Sequence, residues 1–414
     1  MKKKTRVVIV GAGFGGLQAA QSLAETEVEV LLINRDNYHT FVPLLYQVAT
    51  SGLSPDLIAI PIRNLLRRSH NTRFLQAEVK EIDFAAKLLQ TSEGIISYDF
   101  LILATGSRTQ FFGIPGAADH AFPLRTLADA VSLRNQIIHC FEKAEDELDG
   151  AKRQQLLTIA IVGGGATGVE LAGALVELVL DSLQKDYPRL NPHEVNLILL
   201  QSGERLLAEF PQSLGKYTYR RLRQLGVQVM LNSKVCRVSA NGVRLQDNTW
   251  LSAATVIWSV GLAGTIPTSS SIPTQTHKGK IQVLPSLQVS KYPEVFAIGD
   301  LAHLDHNQKP LSGVAPEALQ EGVFVARNIQ RKLRGQKLKP FSYFNKGRLA
   351  IIGCYSGVGK IGFLQLKGFL PWFMWLAVHL VYLPDWRNRL LILLSWLHAY
   401  IVGDRSVRLI LSNH

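Results

Sequence analysis

Cysteine is nearly missing from this chain: three in 414 residues, Cys140, Cys236 and Cys354, with no CxxC or CxxxxC spacing among them. That excludes a redox dithiol and leaves no basis for a metal centre or a disulfide framework. Acidic residues are in deficit too, 32 Asp and Glu against 45 Lys and Arg, a net charge of +13. Such a balance favours an anionic partner. Nucleic acid is set aside, because no helix-turn-helix, zinc-finger or RNA-binding signature accompanies the charge. Nucleotide phosphates and an anionic lipid surface remain. Low-complexity tracts are lacking, and at 47% hydrophobic and 19% charged the composition is that of a folded chain with room for two or three domains. The N-terminus begins with a run of Lys and Arg, but only four apolar residues follow before a glycine turn. It reads as a first strand and leaves no targeting segment.

What is present is a repeat. Residues 7–10 (VVIV) are a continuous apolar run, as a buried parallel strand requires. A glycine turn, a helix from about Gly15 to Glu25 and a second strand at 28–33 complete a βαβ unit. Residues 157–162 (LTIAIV) start the same sequence again, with a glycine turn, a helix from Thr167 and a strand at 195–200. Two further apolar strands end in glycine turns, 98–104 before Thr105-Gly106 and 255–260 before Gly261. Six Lys or Arg between Arg327 and Lys339 mark a helix end and connector. Beyond Phe363 the composition shifts. Residues 369–383 and 390–402 are rich in Trp, Leu and Tyr, each too short for a membrane span of about 20 residues. Flanked by Arg387, Arg389, Arg405 and Arg408, they suit a helix pair lying in one leaflet. A buried helical hairpin or a dimer interface is the alternative.

The first turn is Gly11-Ala12-Gly13-Phe14-Gly15-Gly16. Gly11 permits the tight turn, Gly13 lets a pyrophosphate approach the backbone, and Gly16 allows close helix–strand packing. The second strand is expected to end in an acid that binds ribose hydroxyls. Asn34 stands there, able to bond a hydroxyl without charge assistance. The second turn, Gly163-Gly164-Gly165-Ala166-Thr167-Gly168, carries Gln201 at the same place. A carboxylate there would repel a 2′-phosphate; Gln201 removes that repulsion, and Arg205 is near in sequence. NADPH is tolerated on this reading, and a preference for NADH stays open beside it. Glu170 is either an acid suited to the helix dipole or a contact near the nicotinamide. Asp300, in Gly299-Asp300 after the strand at 295–298, can accept bonds from ligand hydroxyls, and residues 312–322 open a helix whose amides suit an electron-rich ring edge.

These motifs, in this order, resemble the type II NAD(P)H:quinone oxidoreductases over essentially the whole chain. The likeness is carried by GAGFGG (11–16), PLLYQVATSGL (43–53), ATGS (104–107), GGGATGVELAG (163–173), VFAIGDLA (295–302) and the tryptophan-rich stretch 375–400. It implies an α/β fold of two Rossmann-type dinucleotide-binding domains, of the disulfide-reductase kind, plus a C-terminal amphipathic helical membrane anchor. The divisions expected are an FAD domain at 1–112 and 277–345, an NAD(P)H domain at 113–276 and a membrane-association region at 346–414. Under it Gly11, Gly13, Gly16, Thr105, Gly106 and Asp300 look like FAD contacts, and Gly163, Gly165, Gly168, Glu170, Gln201 and Gly261 like nicotinamide-nucleotide contacts. Lys346 matches a family lysine near the flavin.

One departure stands out. The family's AQxxxQ pattern retains its second Gln as Gln320, but Pro316 replaces the first. The chain also has the look of the cyanobacterial and plastid branch, some members of which reduce a naphthoquinone precursor of phylloquinone. The implied enzyme is a peripheral protein on the cytoplasmic face of a plasma or thylakoid membrane, often a homodimer. It passes a hydride from NAD(P)H to FAD and two electrons to a membrane quinone, without pumping protons. Two rivals stay open: a soluble reductase serving a ferredoxin-type carrier, and a nucleotide-binding redox sensor with little turnover. A sulfide-oxidising quinone reductase is excluded by the missing cysteine pair.

Overall fold

The computed structural model describes residues 4–269, 278–306, 309–311, 313–403, 405 and 407–410. The domain boundary expected at 276/277 and Ser312, at the head of the 312–322 segment, lie outside the described residues. The chain forms two compact units. One comprises residues 1–40, 60–108 and 262–345; the other comprises 41–59, 109–261 and 346–414.

In the first unit the apolar run at 7–10 becomes the strand Arg6–Val10. It lies between Glu29–Asn34 and Phe100–Leu103, parallel to both. Thr72–Gln76 extends the sheet in parallel on one side and Tyr292–Ala297 on the other, and Gln288–Val289 closes it with an antiparallel edge. Val7, Val8 and Ile9 are wholly buried, which is why this strand lacks the alternation of a half-exposed one. The helix Phe14–Ser22 stops short of the expected Glu25, which has φ +63° and so cannot continue it. This helix crosses Ala315–Leu333 at backbone distance: a Cβ on Gly322 would stand 2.4 Å from the Gly15 carbonyl oxygen.

The second unit repeats the plan. Thr158–Val162 lies between Asn196–Leu200 and Thr255–Trp258 in a five-stranded parallel sheet. The helix Ala166–Glu177 follows the glycine turn and runs on through a π-helical turn, Leu178–Leu183. A three-stranded antiparallel sheet, Arg348–Ile351, Gly357–Ile361 and Leu364–Gly368, then leads into two helices, Phe369–Tyr382 and Trp386–Val402.

Pro384 separates the two helices, and the second begins four residues before the apolar run suggested. Arg387 and Arg389 therefore sit inside it, and Arg389 Nε donates to the Leu383 carbonyl at 2.7 Å. The pair buries Trp372, Trp375, Ile392 and Trp396 and leaves Phe373, Val381, Trp386, Leu394 and Ile401 exposed. Polar ties hold it within its unit: Asn388 Nδ2 donates to the Leu57 carbonyl and Trp396 Nε1 to Gln47 Oε1, both at 2.8 Å. Among the described residues no helix is long and apolar enough to cross a membrane.

Candidate active site

The two glycine turns are near-copies. Gly11 has φ +104° and Gly163 φ +119°, values only glycine adopts readily. A Cβ on Gly16 would lie 1.9 Å from the Gly11 oxygen, and one on Gly168 would lie 1.9 Å from the Gly163 oxygen. Both positions are closed to any side chain. Gly13 and Gly165 are the opposite, with nothing within 4 Å of a Cβ. Each is the residue before a helix and offers no side-chain cap, so the first amides of that helix are left for another acceptor. An open backbone cradle at a helix N-terminus fits the pyrophosphate of a dinucleotide.

Asn34 and Gln201 also do the same thing in the two units. Asn34 Oδ1 accepts from the Ala12 amide and Gln201 Oε1 from the Gly164 amide, each at 2.9 Å. Each neutral side chain thus ties the tip of the second strand to the glycine turn. Asn34 spends its other end inside the chain, donating to the Asp36 carbonyl at 2.8 Å. Arg205 Nη2 donates to the Ala208 carbonyl at 2.7 Å, which holds its guanidinium four residues beyond Gln201.

Strand ends close each turn. A Cβ on Gly11 would stand 2.3 Å from the Ala104 oxygen, so Thr105 and Gly106 lie beside the first turn. The Thr105 hydroxyl donates to the Thr265 carbonyl, and Gly106 has φ +71°. Ser107 Oγ donates to Asp300 Oδ2 at 2.7 Å, which orients that carboxylate. In the second unit a Cβ on Gly163 would meet Val260 at 2.3 Å, which places Gly261, φ +77°, next to the turn. Within the first unit the structure therefore gathers Gly11, Gly13, Gly16, Asn34, Thr105 and Gly106 around one strand end. Within the second it gathers Gly163, Gly165, Gly168, Gln201 and Gly261.

Glu170 is not a surface acid. A Cβ on Gly173 would lie 2.5 Å from the Gly353 nitrogen, so its helix packs directly on the 353 turn. That packing brings the Glu170 carboxylate to the Ile351 amide (3.4 Å) and within bonding reach of the Trp375 indole. Burial pushes its pKa up to about 8, against the smaller pull of those two donors. Lys346 is exposed and donates from Nζ to the Tyr382 hydroxyl at 2.8 Å, so it is tied to the first C-terminal helix. Gln320 uses both ends of its amide on Phe344, accepting from its nitrogen and donating to its oxygen at 3.0 Å each. Pro316 lies in the first turn of Ala315–Leu333, where a missing N–H is harmless.

Sequence reasoning passed over several buried polar groups. Glu317 accepts from the Gly313 and Val314 amides at 2.7 and 3.2 Å, and Glu321 from the Gly299 amide. Burial, reinforced by the charges of Glu317 and Asp300, pushes Glu321 up to about 8. The signal available was two acids four apart on an apolar helix face, which reads equally well as helix-dipole chemistry. His39, 2% exposed, is bound through Nδ1 to the Ala12 carbonyl at 2.8 Å, and its pKa is lowered by burial. No motif announced it.

Comparison with known proteins places this arrangement. Residues 5–322 match the pyridine nucleotide-disulphide oxidoreductase family, so the chain is an oxidoreductase of that class. Residues 345–405 match the NDH2 C-terminal domain. The type II NADH:quinone oxidoreductase Ndh of Mycobacterium tuberculosis is 36% identical over 420 residues, 98% of this chain and 90% of that protein. The NdhA protein of the same organism is 37% identical over 408 residues, covering 94% and 86%. Among solved structures, NDH2 from Plasmodium falciparum in complex with NADH has a TM-score of 0.91 at 22% identity, covering 99% of this chain and all of that one. The chain belongs to the type II NADH:quinone oxidoreductases.

Proposed function

We propose that this chain holds FAD on the first glycine turn, takes NADH or NADPH on the second, and reduces a quinone drawn from a membrane. The observation that carries this reading is the pair of open cradles at Gly13 and Gly165, each at an uncapped helix start. Gly11, Gly13, Gly16, Asn34, Thr105, Gly106 and Asp300 would hold the flavin; Gly163, Gly165, Gly168, Gln201 and Gly261 would hold the nicotinamide nucleotide. When bound, FAD accepts a hydride from the nicotinamide and returns two electrons to a quinone. The chain's own residues orient, exclude water and move protons. Glu170, protonated near neutral pH, is the proton donor of this set, and Lys346 and Gln320 are the polar groups offered to the quinone side.

The exposed apolar face of the C-terminal helix pair supports attachment to a membrane surface, with the net positive charge favouring anionic lipid; the cytoplasmic face is the side this reading expects. An FAD domain at 1–112 and 277–345, an NAD(P)H domain at 113–276 and a membrane-association part at 346–414 is the functional division we assign, although 41–59 and 346–414 fold into one compact unit with 109–261. A homodimer is the assembly this reading expects. Two acceptors are carried forward with equal standing: a respiratory or photosynthetic quinone, and a demethylated naphthoquinone precursor of phylloquinone; the Pro316 departure fits a changed quinone site without choosing between them.

The test is anaerobic mixing of the detergent-solubilised protein with NADH or NADPH, followed by plastoquinone or a demethylated naphthoquinone analogue. Rapid bleaching by one nucleotide and reoxidation by one quinone identify donor and acceptor together. Bleaching without reoxidation by either quinone defeats the reading and favours a soluble-carrier reductase or a sensor.

A further inference from the structure

His39 has no part in the chemistry assigned above, yet it is bound to the middle of the first glycine turn. It is the central residue of the short strand Tyr38–Thr40, which is pinned just ahead by the Asn37 carbonyl, an acceptor for the Ile62 amide at 2.9 Å. Alternate strand residues face opposite ways, so His39 turns inward and is 2% exposed, while Tyr38 and Thr40 stay partly open. Phe14, the first residue of the helix Phe14–Ser22, stands edge-on to the imidazole, with ring centres 5.2 Å apart and planes at 85°. The ring is thereby held in one orientation beside the start of that helix.

The two ring nitrogens do different things. Nδ1 lies 2.8 Å from the Ala12 carbonyl oxygen. A carbonyl only accepts, so Nδ1 carries the hydrogen. Burial lowers the pKa of the ring and outweighs the opposing effect of that carbonyl, so the imidazole is neutral at pH 7. A neutral ring with its hydrogen on Nδ1 has a bare acceptor at Nε2. Nε2 is buried, and no group among the described residues bonds it. A buried acceptor is costly until a donor meets it. The nearby donors of the turn are committed: the Gly11 amide donates to the Ile33 carbonyl at 2.8 Å, and the Ala12 amide to Asn34 Oδ1 at 2.9 Å. The pyrophosphate that fits the helix start has oxygens that accept and no hydrogen to give at neutral pH. What a dinucleotide lying on this turn can give, next to its phosphates, is a sugar hydroxyl. Its adenosine ribose belongs at the end of the second strand. Asn34 stands there and is engaged at both ends of its amide. Asn34 and His39 hold the same residue, one at the Ala12 amide and the other at its carbonyl. Of the two, His39 keeps a ring atom that still calls for a donor.

We propose that His39 is a binding residue for FAD, its Nε2 accepting a hydrogen bond from a hydroxyl of the adenosine ribose. It supplies the acceptor that a carboxylate at position 34 would have supplied. The proposal rests on the reading that FAD occupies the first glycine turn, and adds a residue that no fingerprint includes. One ring then ties the ligand's sugar to the backbone of the turn that receives its phosphates.

The experiment measures flavin affinity in the full-length holoenzyme, from the return of flavin fluorescence along a dilution series. It uses FAD and, after exchange, FAD analogues lacking the 2′- or the 3′-hydroxyl of the adenosine ribose. His39→Asn places an amide nitrogen where Nδ1 was, which keeps the Ala12 bond, and leaves nothing at Nε2. His39→Gln is the conservative change, with an amide oxygen able to reach the Nε2 position. The expected result is a Kd for FAD about tenfold weaker in His39→Asn, with His39→Gln closer to wild type. Wild type should bind one of the two analogues about tenfold more weakly than FAD, and His39→Asn should bind that analogue as well as it binds FAD. Where His39→Asn retains no flavin, His39→Gln carries the same comparison, its loss on the analogue being smaller than wild type's by its own deficit on FAD. Wild type that binds both analogues as tightly as FAD overturns the proposal. A variant whose loss adds in full to the loss on each analogue also overturns it, since the turn itself is then damaged. A wild-type chain that takes up no FAD brings down the flavin reading, and the proposal with it.

Discussion

The two glycine turns share a backbone and differ in what surrounds it. Both hold a neutral amide on the turn at 2.9 Å. In the first unit that amide is spent at both ends, and buried acids on Ala315–Leu333 grip the neighbouring turns at Gly299 and Gly313. In the second, the nearby helix lines a cavity of about 320 Å³ and Gln201 has Arg205 close by in sequence. The first site is built like a fixed socket and the second like a place of exchange. That is the asymmetry expected when one dinucleotide stays and the other comes and goes.

The sharpest way to break this comparison is to close each turn in its turn. A methyl group at Gly16 or Gly168 would meet a backbone oxygen at 1.9 Å, which overpacks the helix–strand contact by about 3 kcal/mol or more. Gly16→Ala is expected to purify without the flavin absorbance, whereas Gly168→Ala keeps flavin and loses about a hundredfold or more in kcat/KM for the nicotinamide nucleotide. Flavin loss from both variants would erase the distinction between the units.

Protonation offers a second handle. Glu170 and Glu321 are both raised to about 8 from an ordinary 4.5. Between those values the folded state holds a proton that the unfolded chain has released. Stability therefore falls as pH rises from about 5 to 8 and levels off above. Glu170→Gln and Glu321→Gln should each flatten part of that slope, with stability at pH 8 at or above wild type by on the order of 1 kcal/mol. Thermal melts at half-unit pH steps check this; slopes identical to wild type in both variants would count against the buried, protonated assignment.

Smaller effects separate the ribose positions. Gln201→Glu retains an acceptor for the Gly164 amide but adds a charge that repels a 2′-phosphate. KM for NADPH is expected to rise about tenfold with little change for NADH, measured by steady-state kinetics with both donors. Asn34→Asp should do least. It strengthens the Ala12 bond by charge and sets a carboxylate oxygen against the Asp36 carbonyl, so flavin affinity is expected to shift by about threefold or less. A large shift there would show the first position to be less fully engaged than its two hydrogen bonds imply.

Much of this is legible in the amino-acid sequence. Gly11 and Gly163 are legible because a positive φ favours glycine, and Gly16 and Gly168 because a backbone oxygen stands where a Cβ would be. The central parallel strands are legible because full burial makes them continuous apolar runs; the edge strands Thr72–Gln76 and Gln228–Met230 are partly exposed and polar, and carry no such run. Asn34 and Gln201 could be placed at the strand ends, but not aimed. That both turn back onto the glycine loop depends on a neighbouring amide that no spacing rule marks. Glu317 and Glu321 hid behind an ordinary preference for acids in a first helical turn. Glu177 hid in an apolar stretch, because its partner Arg405 lies more than two hundred residues away. Pro384 could have signalled that the last helix starts at Trp386; the apolar run alone pulled the boundary four residues on.

The C-terminal helix pair has a mechanical consequence. Its outer face is apolar, but its hold on the rest of its unit includes directed polar ties: Asn388 to the backbone of Leu57, Trp396 to Gln47, and Arg405 to Thr50. All three end in the short stretch 41–59. A sideways load on the outer face is therefore shared between that stretch and the helix Ala166–Glu177, which Trp375 and Arg405 reach through Glu170 and Glu177. The stretch acts as a shackle, one of two places where drag on the helix pair would first be felt.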